Sequence, residues 1–337
     1  MEVKTNEFGH FDVVSDDSDH HFLGSNNGKC FYDSNSKVYR TIMKEWKILE
    51  QSLPESIYVR VYERRIDLMR AVIVGTAGTP YHDGLFFFDI MFPSDYPKHP
   101  PMLHFHSFGY RINPNLYING KVCLSLLNTW NGKGTEMWDP SKSTMLQVLV
   151  SIQGLVLNKN PYFNEPLRLF DSESKSRVYN ENAFIITCYT SFLLLQRPLR
   201  NFEAFVSAHF CERAFPILSA CSDYVNGRVE VGYYSSDLRS SSSTVRVSRE
   251  FKEKMIQFYP KLFQAFRLKG ASVGGLVEHL ELEIEQSEKK SSGGGQRQQL
   301  KNKSRRIFKK VMEKIKQTLG WKKKSQIEGR DRSLQSS

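Results

Sequence analysis

Residues 81–127 read YHDGLFFFDIMFPSDYPKHPPMLHFHSFGYRINPNLYINGKVCLSLL, and this stretch decides the fold. Two apolar, aromatic runs, LFFFDIMF and MLHFHSF, have the character of strands. The segment between them, FPSDYPKHPP, cannot continue a ladder because its prolines lack the N–H. Upstream, GTPYHDG is a second turn signal, and before it lie two more strand-like runs, IYVRVYE and LMRAVIVG. Further out on that side, Val38, Ile42, Trp46 and Leu49 recur at spacings of three and four until Pro54, which predicts a helix. On the other side an irregular stretch leads to STMLQVLVSIQGLVL, a strongly apolar helix, with further helices around 175–196 and 201–226. One helix, a meander of strands and then more helices predict an α+β fold. Its four-stranded antiparallel sheet is covered by helices on one side, with a helical C-terminal extension.

Composition divides the rest. Residues 1–34 are polar and acidic, with no apolar segment of the kind that directs secretion, and read as a disordered arm. Residues 35–200 form the core, and 201–285 a helical extension with a flexible Ser-rich loop between Gly227 and Val247 and a helical run that lasts until Gly270. Residues 286–299 are a linker and 300–337 a basic amphipathic tail with Ile307, Val311, Ile315 and Leu319 on its apolar face. The net charge of +11 belongs wholly to this end. Residues 296–324 hold 12 Lys and Arg against one Glu, while the remainder carries 35 bases and 35 acids. The charge therefore says nothing about the folded surface, and a nucleic-acid partner would rest on charge alone. A helix with Lys and Arg flanking an apolar face that ends in Trp321 suits an acidic membrane surface through 300–324. Calmodulin-like capture, nuclear import and a plain solvated helix are the other readings. The run from Ala183 to Leu195 is too short and hydroxyl-rich to span a bilayer.

The five cysteines, Cys30, Cys123, Cys188, Cys211 and Cys221, are odd in number and lack a CxxC pair. They argue against a disulfide framework and a zinc site, and for a reducing compartment. His104 and His106 alternate as on one strand face, but no partner cluster supports metal binding. On patterning alone, Cys123 in KVCLSLL is more readily a small buried hydrophobe than a nucleophile.

The wider context reverses that reading. Tyr81, Gly84, Phe92-Pro93, Tyr96-Pro97, Pro100-Pro101, Asn113-Pro114-Asn115, Gly120 and Cys123-Leu124 together resemble the signature of the ubiquitin-conjugating enzyme family, with Asn115 eight residues before Cys123. KEWKILEQSLP resembles that family's first helix and TMLQVLVSIQGLVLNKNP the helix after its active site, so the likeness covers roughly 37–200. INPNLYINGKVCLSLL and PYFNEP are most similar to the large plant-type members related to the high-mass hybrid conjugating enzyme and ligase.

This resemblance implies a ubiquitin-conjugating fold and an enzyme that accepts ubiquitin from the activating enzyme as a thioester on Cys123, then passes it to a lysine of a protein substrate. That transfer occurs directly or with a ubiquitin ligase. A related modifier in place of ubiquitin, or a non-catalytic scaffold with the same core, are the alternatives. The chain itself needs no cofactor, since ATP is consumed in the activation step, and a cytoplasmic or nuclear location with peripheral membrane association is expected. Asn115 is the implied oxyanion donor, a role for which a side-chain amide is chemically apt. Asn164 and Glu165, in NEPL, occupy the place of acidic residues that orient the incoming lysine, in a stretch about two residues longer than usual. Asn113, Pro114 and Trp138 are structural neighbours of the site.

There are departures from the family pattern. Asn113 replaces the usual His, Lys98 replaces an aromatic that docks ligases, and Trp138-Asp139-Pro140-Ser141 stands for Trp-Ser-Pro-Ala. Cys123 and Trp138 are 15 residues apart where about eight are common, which places TWNGKGTEM beside the catalytic groove. The changes at Lys98 and in the Trp138 loop weaken the case for standard RING-ligase docking.

Overall fold

The computed structural model describes residues 8–25, 31–132, 134–234 and 245–273, together with Gly275 and Glu313. The linker 286–299 and, apart from Glu313, the basic tail lie outside the described residues, as do Cys30 and the serine run at 235–244. The elements are β1 (Phe11–Val14), α1 (Lys37–Ser52), β2 (Ile57–Tyr62), β3 (Leu68–Val74), β4 (Leu85–Met91), β5 (Met102–Phe105), α2 (Met145–Ser151), α3 (Glu173–Gln196), α4 (Glu203–Asn226) and α5 (Arg249–Leu268). Strands β2 to β5 form the expected antiparallel meander, and β1 adds a fifth, parallel strand along β2 with Phe11 opposite Val59.

Alternation along the strands assigns the two faces. Ile57, Val59, Val61, Met69, Ala71, Ile73, Phe86, Phe88 and Ile90 join one core with Ile42 and Leu49 of α1 and Met145, Val148 and Leu149 of α2. Buried Glu45 ties this layer together. Tyr96 donates to its Oε1 at 2.6 Å, and the Met145 N–H, at the start of α2, donates to its Oε2 at 3.0 Å. Thr144 completes a capping box with Gln147, which sets where α2 begins. After Ser151 the helix widens into a π turn, Ile152–Val156.

The opposite face carries Tyr58, Arg60, Tyr62, Arg70 and Asp89, residues that a one-sided sheet would show to water. It is covered instead, which corrects two expectations. The arm expected to be disordered supplies β1 and residues 15–25, and helices lie over both faces rather than one. Phe202 packs on Phe87 with ring centroids 5.3 Å apart, and Phe205, in α4, on Tyr58 at 4.3 Å. Phe8 receives the Arg60 guanidinium at 4.0 Å from its ring centroid. Arg70, fully buried, pairs with Asp89 (Nε to Oδ1, 2.6 Å) and with Asp19 of the arm (2.7 Å). Burying these charges is tolerable only because each has a partner.

The Ser-rich loop is also shorter than expected. Gly227–Tyr234 folds back, with Val229 and Val231 buried, and the Gly78 N–H donates to the Gly232 carbonyl at 2.8 Å. There Asp83 accepts from Arg213 of α4 at 2.6 Å and from the Tyr234 hydroxyl, while His82 reaches Asp83 through Nδ1 and Tyr224 through Nε2, both at 2.8 Å. Burial by itself would raise the Asp83 pKa, but hydrogen bonds and charges from His82, Arg213 and Tyr234 outweigh it and hold the carboxyl at about 2. Among the described residues no helix is long and apolar enough to cross a membrane.

Candidate active site

The chain reaches Cys123 through a tight turn. Gly120 has φ +86°, and a Cβ there would lie 2.1 Å from the His104 ring, so both the backbone and the space require glycine. Single bridges from Lys121 to His104 and from Val122 to Leu116 then set the segment beside β5. Cys123 itself is only 3% exposed. Its N–H donates to the Asn115 carbonyl and the Asn115 amide nitrogen donates to the Cys123 carbonyl, both at 2.9 Å. The Thr129 hydroxyl accepts from the Leu124 N–H at 3.0 Å and donates to the Val122 carbonyl at 2.7 Å.

Behind this loop lies an amide network. Asn113 is fully buried. Its Oδ1 accepts from the Asn115 N–H at 2.8 Å, and its amide nitrogen donates to the Tyr81 hydroxyl at 2.8 Å and to the Val156 carbonyl at 2.7 Å. An Asn supplies both donor and acceptor here at neutral charge, so Asn113 holds three partners in the position where the resemblance leads one to expect His. The Val156 carbonyl also accepts from Asn164 at 3.1 Å, and the Asn164 oxygen accepts from Asn158 at 2.6 Å. The structure therefore joins Cys123, Asn115, Asn113 and Asn164 through one set of bonds. Glu165 turns instead to Arg168, 2.6 Å away, within two short turns, Pro161–Asn164 and Pro166–Arg168. Pro114 presents its carbonyl to Arg111 at 3.3 Å.

Trp138 is buried against Tyr96, and its indole N–H donates to the Pro97 carbonyl at 2.7 Å. That bond places the altered Trp138-Asp139-Pro140-Ser141 loop beside the exposed Lys98, so the two departures form one surface. Of the extra residues before Trp138, Thr129 reaches the peptides on either side of Cys123. Sequence reading missed Thr129, Asn158 and the Val156 carbonyl. None belongs to a periodic or motif pattern, and only the fold brings them to the loop.

The other described thiols are placed differently. Cys188 and Cys221 are buried, and burial pushes the Cys188 thiol well up, with Cys221 adding to the effect. Cys211 donates to the Lys269 carbonyl at 3.0 Å. His104 stacks on His21 of the arm at 3.4 Å between centroids and titrates near 4, lowered first by burial and then by His21 and His106. His106 lies 3.0 Å from Asp89. No group of three or more His, Cys, Asp or Glu among the described residues could hold a metal ion.

Comparison with known proteins accounts for this geometry. The family model described as ubiquitin-conjugating enzyme matches residues 41–183. The chain is 45% identical over 277 residues to the Arabidopsis thaliana protein named putative ubiquitin-conjugating enzyme E2 39, covering 79% of this chain and 84% of that one. It is 51% identical over 264 residues to the same plant's probable ubiquitin-conjugating enzyme E2 24, covering 77% of this chain. It is 35% identical over 284 residues to the human dual E2 ubiquitin-conjugating enzyme/E3 ubiquitin-protein ligase BIRC6, covering 78% of this chain. The chain spans only 29% of the length of the second of these relatives and 6% of the third. By its matched core, its α+β sheet and its identity to these proteins, the chain belongs to the ubiquitin-conjugating enzyme family.

Proposed function

We propose that the chain accepts ubiquitin from the activating enzyme as a thioester on Cys123 and transfers it to a lysine amine of a protein substrate, directly or with a ligase. The observation that carries this reading is the reciprocal pair of bonds between Asn115 and Cys123, which sets a side-chain amide beside the cysteine. In the first step the Cys123 thiolate attacks the carbonyl carbon of the incoming thioester and the activating enzyme's thiolate leaves. One thioester replaces another, so the exchange is nearly isoenergetic. In the second step an amine attacks, a C–N bond forms, and the C–S bond breaks with its electron pair returning to Cys123. A free lysine titrates at about 10.4, so the ammonium must first give one proton to solvent, and the second proton leaves the nitrogen once the C–N bond has formed, to the departing Cys123 thiolate or to solvent. Negative charge gathers on the thioester carbonyl oxygen, and the Asn115 amide, which here donates to the Cys123 backbone carbonyl, is the side-chain donor that would meet it.

Incubation with activating enzyme, ubiquitin and ATP, followed by a non-reducing gel, tests the reading. The wild-type chain should form a reductant-sensitive adduct, Cys123→Ser a reductant-stable oxyester, and Cys123→Ala none. Charging of Cys123→Ala that is lost instead in Cys188→Ala or Cys211→Ala overturns the assignment.

The tail at 300–324 we propose as an anchor to acidic membrane surfaces for an enzyme working in the cytoplasm or nucleus, because the chain's whole net charge lies in residues 296–324. Each Lys or Arg near such a surface is worth roughly 1 kcal/mol. Liposome flotation should show binding that needs acidic lipid, weakens with salt and disappears without residues 296–337. Indifference to acidic liposomes at low salt leaves the nuclear or calmodulin-like reading.

A further inference from the structure

Two peptide groups meet at Cys123, and all four of their polar atoms are held. Asn115 takes one pair, the Cys123 N–H with its carbonyl and the Cys123 C=O with its amide. Thr129 takes the other pair with a single hydroxyl, donating to the Val122 C=O at 2.7 Å and accepting from the Leu124 N–H at 3.0 Å. A hydroxyl can do both at once because it has one proton and two lone pairs. The two halves of this clamp are not equivalent. The Asn115 amide is also the group required at the oxyanion, whereas the Thr129 hydroxyl, whose remaining contact is the Leu124 carbonyl at 3.2 Å, serves only the backbone of this loop.

We infer that Thr129 is a positioning residue for the transfer step, holding the peptides on both sides of Cys123 while the Asn115 amide turns from the Cys123 carbonyl to the developing oxyanion. This rests on the reading of Cys123 as the thioester carrier. Thr129 opens the long stretch before Trp138, and that stretch is folded back against the loop. Asn128 takes a left-handed conformation, φ 55°, which reverses the chain. The Thr129 N–H then donates to the Leu124 carbonyl at 3.3 Å, and Ser125 donates to the Asn131 carbonyl at 3.4 Å. Gly132 lies so close that a Cβ on it would stand 2.6 Å from the Cβ of Ser125. The start of the added stretch thus holds the Val122 carbonyl and the Leu124 N–H on either side of Cys123, two bonds that do not depend on the Asn115 amide.

The test is single-turnover discharge of the full chain, charged beforehand, to free lysine at several concentrations. Thr129→Val keeps the side-chain shape and removes both bonds, while Thr129→Ser keeps the hydroxyl. Thr129→Val should slow the maximal discharge rate by about tenfold or more, since small misplacements of reacting groups cost up to on the order of 10²-fold. The lysine concentration for half-maximal rate should not move, and Thr129→Ser should recover most of the loss. In an Asn115→Ala background, Thr129→Val should cost charging more than it does alone, because no side chain then holds the Cys123 peptides. Wild-type discharge by Thr129→Val, or a Thr129→Ser protein as slow as Thr129→Val at equal thermal stability, overturns the inference. If Thr129→Val does not fold, a Thr129→Ser protein that folds and discharges more than tenfold slower than wild type overturns it, and near-wild-type discharge supports it. Wild-type charging on Cys123 with normal Thr129→Val removes the Thr129 role alone. Absence of wild-type charging removes the thioester reading and this role with it.

Discussion

The Val156 carbonyl is shared by Asn113 from one segment and Asn164 from another, and the two segments are built on different terms. On the Asn113 side the polar groups that flank Cys123 are paired and covered, and the segment is backed by Tyr81 and the Gly120 turn. On the Asn164 side, past a single buried proline, Glu165 pairs with Arg168 and Asp171 with Lys175, while Leu167 is 94% exposed and Phe170 99%. The cysteine loop is preorganised, as the transfer proposed for it would require, since small displacements of reacting groups are costly. The second segment meets the first through the shared Val156 carbonyl and offers apolar side chains and mutually neutralised charges to the outside.

Three substitutions can break or sharpen this contrast. The largest effect is expected from Asn115→Ala, which should slow discharge to lysine by roughly 10²-fold, as for other lost oxyanion donors, with a much smaller fall in charging. Equal losses in both steps would mean that the bond to the Cys123 carbonyl is the residue's whole contribution. Next is Asn113→Leu, which leaves the buried Asn115 N–H without its acceptor and the Val156 carbonyl with Asn164 alone. Urea unfolding should report a loss of about 1–3 kcal/mol, and a stability equal to wild type would show that the amide network carries no weight. Smallest is the pair Leu167→Ser and Phe170→Ser, which should stay within about 0.5 kcal/mol of wild type because both side chains already face water. A large destabilisation there would mean that the two segments are not built differently after all.

Much of this arrangement was legible in the sequence. The meander, α1 and the eight-residue interval from Asn115 to Cys123 depend on local pattern and short-range spacing, and they stand in the structure where expected. The fifth strand was not legible. FDVV sits in an acidic, polar stretch, and its pairing with β2 is a contact 48 residues away in the chain that no local propensity announces. Arg60 and Arg70 gave the strands an apparent water-facing side. Their burial depends on Phe8, Asp19 and Asp89 arriving from elsewhere. In the site, Cys123 and Asn115 were readable because the motif names them. Thr129 was not, since a threonine in NTW has nothing to distinguish it until the chain reverses at Asn128. Glu165 was expected to face the incoming lysine, and its observed partner is Arg168.

The knot around Asp83 bears on where this chain can be cut or grafted. The family match ends at residue 183, and a natural choice would be to stop at about 200 and attach the core to something else. Yet Asp83 belongs to the same turn as Tyr81, and its partners Arg213 and Tyr234 come from well beyond that point. Removing them would strip a carboxylate of its counter-charge and uncover Tyr58 and Phe87 at the same time. The transplantable piece therefore runs from Phe8 through the end of α5, because Tyr259, Leu262 and Phe266 of that helix are buried as well and Phe266 packs on Phe210 of α4.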